Sequence, residues 1–248
     1  VILVILVLVG GWASHEWKAQ KPFSLNNFLN RTLVKLALER PQTLSSVGVL
    51  DGLGITAHNA HLNDASEAAF KATFARLQKS REVLLLYKDE NLTEAEVLSK
   101  ELALYLFDTL ADFEKFKYHN YPFNQMFGLQ NSFPIFMDSQ HDISGLESVQ
   151  HYISRLSESK RYYTQTLEGM RVREEKNIFP PKFVIQRVLD EMQGFINKPV
   201  RDNLLYTSLK KKIEENQIIA DEQKADLLTQ AASEIQKTVY PAYQMLID

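Results

Sequence analysis

The stretch NYPFNQMFGLQNSFPIFM, residues 120–137, lies between two long helical patterns and sets the organisation of the chain. Two prolines and a glycine mark irregular backbone, yet four phenylalanines, two methionines and a tyrosine favour burial. Amide side chains between them can satisfy the main-chain groups of a buried loop; they are Asn124, Gln125, Gln130 and Asn131. We therefore interpret the stretch as a structural plug in the core, with one wall of a ligand cleft as the alternative.

The chain before this stretch carries three helical patterns. The spacing predicts helices over Ser24–Arg40 and Asp64–Lys88, each with apolar residues on one face. A third helix begins after Thr93, where Glu96 completes a capping box. Its predicted buried stripe is Leu98, Leu102, Tyr105, Leu106, Leu110, Phe113 and Phe116.

The chain after this stretch is also helical in pattern. A second capping box is predicted over Ser144–Glu147, and a further helix begins at Pro181. The run Lys210–Lys212 is interpreted as a solvated face, and Pro241 is expected to kink the last helix. Strand and hairpin signals are missing from the sequence. We predict an all-α fold, a multi-helix array of about eight helices around a central buried irregular loop, forming one domain over residues 23–248.

The first residues form an unbroken apolar run from Val1 to Val9. Because it is shorter than the roughly 20 residues of a membrane span, we interpret residues 1–22 as the remnant of a signal peptide or anchor with a linker. A buried strand is the alternative. The expected location is exported, periplasmic or at the cell envelope. The chain has no cysteine for lipid attachment and no basic stripe for nucleic acid.

Catalytic motifs are missing from the sequence. With no cysteine, thiol nucleophiles and thiolate metal sites are excluded, and neither a Gly-x-Ser-x-Gly elbow nor a Walker sequence is present. His58 and His61 could share a helical face, but we interpret them as surface loop histidines, with metal binding as the alternative. His141 lies close to acidic residues that could orient its imidazole, but we favour a structural turn that precedes a helix. No catalytic or metal-binding residue is assigned to this chain.

Several segments in one order resemble a known family. They are PQTLSSVG (41–48), LNDAS (62–66), YPFNQMFGLQ (121–130), FP (133–134), YISRL (152–156), FPP (179–181) and YPAY (240–243). In this order they resemble the N-terminal half of the bacterial family called domain of unknown function 885 (DUF885), from about Phe23 to Asp248.

The resemblance implies a larger, mostly helical protein that is often exported. Family members look like zinc metallopeptidases whose H-E-x-x-H motif lies in the C-terminal half, and this chain stops before that half. The resemblance therefore implies a non-catalytic scaffold and one wall of a substrate cleft, with zinc and a peptide substrate belonging to the full-length protein. The candidates for facing the cleft are Asn124, Gln125, Gln130 and His141. The alternative is a self-sufficient, membrane-tethered helical interaction protein without enzymatic activity.

Overall fold

The described part of the chain is helical, as the all-α prediction expected. The structure is a computed structural model that describes residue 11 and residues 14–248, and within these it contains ten assigned α-helices and no strand. The helices run Leu25–Leu38 (α1), Pro41–Val47 (α2), Glu67–Leu84 (α3), Glu94–Asp112 (α4), Leu129–Ser139 (α5), Leu146–Glu175 (α6), Lys182–Ile196 (α7), Leu204–Glu215 (α8), Asp221–Glu234 (α9) and Tyr240–Ile247 (α10).

The chain divides into two compact units. Unit 1 combines residues 1–37 with residues 68–117, and unit 2 combines residues 38–67 with residues 118–248. The single helical domain over residues 23–248 that the sequence predicts stays a prediction beside this division. The physical basis of the division is that the buried apolar side chains form two separate clusters, one in each unit.

The predicted apolar run from Val1 to Val9 lies outside the described residues. Among the residues that are described, no helix has the length and apolar character needed to cross a membrane.

Unit 1 packs α1, α3 and α4 around a small aromatic and aliphatic core. The hydroxyl of Tyr87 donates to the carbonyl of Pro22 at 2.6 Å and so ties the chain before α1 to this core. Each fully buried apolar side chain contributes about 1.5–3 kcal/mol relative to an exposed one. The buried members are Leu25, Phe28, Leu77, Val83, Leu84, Tyr87 and Phe107.

Helix α4 begins as predicted but buries a different face. The Thr93 side chain accepts from the N–H of Glu96, and the Glu96 carboxylate accepts from the N–H of Thr93, so the capping box is confirmed. The predicted buried stripe was wrong for six residues, which are 52–74% exposed: Leu98, Leu102, Tyr105, Leu106, Phe113 and Phe116. The helix carries a second apolar row, of Ala103, Leu104, Phe107 and Leu110, and that row packs on the core.

Unit 2 is built around α6, which has 30 residues and is about 45 Å long. Its buried face packs against α9, α10 and the segment between them. That segment, Ile235–Val239, is a π-helix directly before Pro241. A proline cannot donate to the carbonyl four residues earlier, and the wider π turn takes up this interruption. The kink expected at Pro241 stays a prediction, and the π-helix ends two residues before this proline.

Two local predictions for unit 2 are corrected. The cap of α6 is not Ser144 with Glu147, because the Ser148 hydroxyl instead accepts from the N–H groups of Ser144 and Gly145, at 2.9 and 3.0 Å. Lys212 is not on a solvated face. Its ammonium donates to the carbonyls of Met137 (3.2 Å), Asp138 (2.5 Å) and His141 (2.7 Å) at the end of α5.

The central stretch is only half irregular. Residues 120–128 form turns, whereas residues 129–137 belong to α5, which contains Pro134. Phe123, Phe133 and Met137 are buried in the core of unit 2, as the plug interpretation requires. In contrast, the side chains of Met126 and Phe127 are exposed to 68% and 80%. The stretch is therefore anchored in unit 2, and its turn exposes the side chains of Met126 and Phe127 to solvent.

Candidate functional site

The turn that carries Met126 and Phe127 is fixed by Asn124. The Asn124 side-chain oxygen accepts from the N–H of Met126 at 3.0 Å and of Phe127 at 2.8 Å. Its side-chain nitrogen donates to the carbonyl of Tyr121 at 2.9 Å. Side chains that bond their own backbone in this way hold tight turns. Asn124 therefore sets the direction in which the two exposed apolar side chains point.

A second layer of contacts closes the turn onto the scaffold. The N–H of Leu129 donates to the carbonyl of Pro122 at 2.9 Å. A side chain at Gly128 would collide with the main chain of Asn124, so only glycine fits this close approach. Gln130 then donates to the Asn124 carbonyl at 2.7 Å.

Glu191, on α7, binds the start of α5. One of its carboxylate oxygens accepts from the side-chain amides of Gln130 at 3.0 Å and Asn131 at 2.8 Å. Charge-assisted hydrogen bonds of this kind are stronger than neutral ones. The turn is therefore held by a helix 60 residues further along the chain, and its exposed residues sit on a rigid support.

Behind α5, Arg155 forms a buried polar hub with neutral groups. Its guanidinium donates to the carbonyl of His61 (2.9 Å), the hydroxyl of Ser45 (2.6 Å) and the ring Nδ1 of His141 (2.8 Å). The side chain has no solvent exposure, and its guanidinium lies 4.9 Å from the ring centre of Phe136. Burial lowers the pKa of Arg155 to about 10, which still leaves it charged at neutral pH.

His141 has one defined protonation state in this hub. Its Nδ1 faces a guanidinium, which can only donate, so Nδ1 accepts and Nε2 carries the proton. Nε2 lies 2.9 Å from the carbonyl of Ser148 and donates to it. Burial, assisted by the positive charge of Arg155, lowers the pKa of His141 to about 3. The imidazole is therefore neutral at physiological pH and acts as a structural link.

His58 and His61 differ in solvent exposure and in the residues that they contact. His61 is an exposed residue as predicted, and its Nδ1 lies 3.0 Å from a carboxylate oxygen of Glu158. The surface assignment was wrong for His58, whose side chain is only 7% exposed and lies 3.5 Å from Asp51. His58 belongs to the 3₁₀ segment Ala57–Ala60, and its own carbonyl accepts from Arg155 at 3.3 Å. Across the described residues, no group of three His, Asp or Glu side chains is arranged to hold a metal ion.

The four residues predicted to face a cleft lie in two environments. Asn124 and Gln125 are half-exposed on the turn. Gln130 and His141 are buried, each with 2% exposure, and are hydrogen-bonded within unit 2. Their assignment to a cleft stays a prediction. The structure adds that Gln130 and His141 support the turn and α5 from the interior.

Two residues important to this arrangement were missed in the sequence. Arg155 follows Tyr152 by three residues and therefore lies on the buried face of α6, a position that signals a buried cation. Glu191 carries no such signal, since carboxylates on amphipathic helices are normally solvated.

Comparisons with known proteins show a family and a similar solved structure. The family model described as "Bacterial protein of unknown function (DUF885)" matches residues 41–248. The fold is similar to "The crystal structure of the putative lipoprotein from Colwellia psychrerythraea", with a TM-score of 0.75 and 19% identity. That match covers 96% of this chain and 40% of the lipoprotein chain. No curated protein matches the chain.

Proposed function

The chain belongs to the DUF885 family of bacterial proteins, and on that premise we propose that it is the helical scaffold of a larger cell-envelope hydrolase of zinc-peptidase type, forming one wall of the substrate cleft. The observation that carries this proposal is the rigid turn of residues 121–128, which holds Met126 and Phe127 in solvent. An exposed apolar pair on a fixed support suits contact with an extended peptide or with a facing wall.

Two further observations support the scaffold role. The chain spans 40% of the length of the solved lipoprotein that it resembles. Polar side chains that are clustered in the interior, such as Arg155 and His141, are hydrogen-bonded to other groups of the same chain. The zinc ligands of the proposed hydrolase are expected in the rest of the full-length protein, as the family resemblance implies. The envelope location is supported by the description of the solved neighbour as a lipoprotein and by the apolar run at residues 1–9.

The test is a substitution in the full-length protein. Phe127→Ala should raise KM for peptide substrates by about tenfold, the equivalent of about 1.4 kcal/mol of lost contact, with an unchanged unfolding midpoint. Ile218→Ala is the matched control, because Ile218 lies in the same unit and is also 80% exposed. Equal KM values for the wild-type protein and Phe127→Ala would show that the turn does not line the substrate cleft.

A second candidate, a helical interaction protein, is favoured by the exposed face of α4. Six apolar side chains on α4 and the following 3₁₀ turn are more than half exposed, and monomeric proteins seldom leave such a row uncovered. Sedimentation of the 248-residue chain tests this candidate. A defined oligomer that dissociates on Leu102→Glu would support this candidate. A wild-type chain that is monomeric, and that Leu102→Glu leaves unchanged, would reject it.

A further inference from the structure

Unit 1 contains a small basic pocket that the proposed function does not use. It has a volume of about 230 Å³ and lies between α1, α3 and the segment that precedes α1. Pockets for drug-sized ligands are roughly 300–1,000 Å³, so the size here suits a small ion or a headgroup. The pocket lies wholly within unit 1 and does not depend on the turn of residues 121–128.

The lining of this pocket is positively charged on every side. Five of its eleven lining residues are cations, and none is a carboxylate, although the whole chain has a net charge of −3. Arg31 and Lys35 are four residues apart on α1, and Arg76 and Lys79 are three apart on α3, so each pair shares a helix face. Lys18 contributes the fifth charge, from the segment before α1.

Arg31 builds the wall of the pocket. Its guanidinium donates to the carbonyls of Trp17 at 2.9 Å, Ala19 at 2.5 Å and Gln20 at 3.2 Å. These bonds hold the segment carrying Lys18 against α1. Arg31 therefore contributes both its charge and the shape of the pocket, while its donors are engaged by main chain.

Lys35 and Lys79 line the pocket from α1 and α3, and both side chains are exposed. Partial burial, together with the positive charges of Arg31 and Arg76, lowers the pKa of Lys35. Lys79 pairs with Glu82 at 2.9 Å, but both side chains are more than half exposed, and exposed pairs of this kind contribute little. Like charges brought together around a concave surface repel one another, and a bound anion relieves that repulsion.

We propose that this pocket binds a phosphate-type oxyanion, whether as a free ion or as the headgroup of an anionic phospholipid. Lys18, Lys35, Arg76 and Lys79 surround the anion, and the buried Ser80 lines the same wall. Cationic side chains that converge on one pocket are a recurrent way to bind phosphate. The apolar run at residues 1–9 lies nine residues before Lys18 in the sequence, which favours a source at a membrane surface.

Calorimetric titration of the 248-residue chain with inorganic phosphate tests the site. Binding should be saturable, should exceed that of chloride at equal ionic strength, and should weaken about tenfold in Lys35→Gln, as expected for the loss of one charged contact of about 1.4 kcal/mol. Lys115→Gln is the matched control, because it removes an exposed cation of unit 1 that is paired with Asp112. The control should bind phosphate as the wild type does.

The stability of Lys35→Gln separates a binding role from a structural one. Because the substitution removes like-charge repulsion, the phosphate-free variant should unfold at the same temperature as the wild type or above it. Lower stability together with unchanged phosphate binding would overturn the proposal. Lys18→Gln, also at an exposed position, provides the same test from the segment that precedes α1.

Vesicles distinguish the two sources of the anion. Sedimentation with phosphatidylcholine vesicles is compared with and without phosphatidylglycerol, for the wild type and for Lys35→Gln. A phosphatidylglycerol-dependent gain that is lost in Lys35→Gln identifies the headgroup, whereas loss of phosphate binding alone identifies a free ion. If Lys35→Gln changes neither phosphate binding nor the phosphatidylglycerol-dependent gain, the pocket is not an anion site.

Discussion

The hydroxyl of Tyr243 donates to the main-chain carbonyl of Gln130 at 2.6 Å, inside the core of unit 2. Pro134, four residues after Gln130, has no N–H with which to bond that carbonyl within α5. Burial raises the pKa of Tyr243, so its hydroxyl stays protonated and can donate. The hydroxyl of Tyr163 donates to the hydroxyl of Tyr243 at 3.1 Å. A side chain from α10 therefore completes the helix that Pro134 interrupts.

Removing this hydroxyl should destabilise the protein. Tyr243→Phe leaves a buried carbonyl without a partner, and we expect a loss of about 1–3 kcal/mol in the free energy of unfolding. Urea unfolding followed by circular dichroism measures this loss. Tyr206→Phe, at a half-buried position on α8, is the control and should stay within about 0.5 kcal/mol of the wild type.

A second substitution should restore part of the loss. In the Tyr243→Phe background, Pro134→Ala returns an N–H to α5 in reach of the Gln130 carbonyl. The double variant should therefore be more stable than Tyr243→Phe alone. If Pro134→Ala costs the same in both backgrounds, the hydroxyl and the proline are not coupled.

Lys212 should contribute to stability, whereas Lys210 and Lys211, the other residues of the same run, should not. Its ammonium binds three carbonyls at the end of α5, so Lys212→Met leaves them without a donor and should cost about 1–3 kcal/mol. Lys211→Met, one residue away and exposed, should change stability by less than about 0.5 kcal/mol. Thermal unfolding of both variants gives the comparison, and equal effects would contradict it.

Stability should fall as the pH drops below about 6.5, because of His141. Its pKa is about 3 in the folded protein and 6.5 when unperturbed, so the unfolded chain binds the extra proton first. The stabilisation is complete above pH 6.5 and decreases by up to about 1.4 kcal/mol per pH unit towards pH 3. Comparing wild type with His141→Gln from about pH 7 to about pH 4 isolates this slope, which the variant should lack.

The two faces of α4 should respond differently to substitution. Phe107 is 4% exposed, so Phe107→Ala should cost about 3–5 kcal/mol. Leu102 is 60% exposed, and Leu102→Ser should change stability by less than about 0.5 kcal/mol. Chemical denaturation measures both changes in the free energy of unfolding. A large loss of stability for Leu102→Ser would show that the predicted stripe is packed in the core.

The sequence predicted helices well but not the surfaces that they bury. Thr93 and Glu96 are local signals, and the helix starts where they place it. The packed face of α4 is different, because the helix carries two apolar rows and periodicity cannot say which one meets a neighbour. The same limit applies to Lys212, whose partners lie more than 70 residues away in the chain.

The candidate site was predictable only in its local part. The Asn124 turn depends on residues next to one another, and the amides within the apolar stretch pointed to it. The support from Glu191 and the Arg155 hub depends on long-range contacts that spacing does not encode. His141 lies in the segment before α6, as favoured, but its ring partner is the distant Arg155 and not one of the nearby acidic residues.

The interleaving of the two units fixes an order for the nascent chain. All of unit 1 has been synthesised by residue 117, but residues 38–67 already belong to unit 2. The Arg155 guanidinium binds Ser45, His58 and His61 of this segment. Arg155 is synthesised 88 residues after residue 67, where the segment ends. At about 5–20 residues per second, this is a delay of roughly 4–18 s. During that interval residues 38–67 lack the buried guanidinium that binds them in the folded protein.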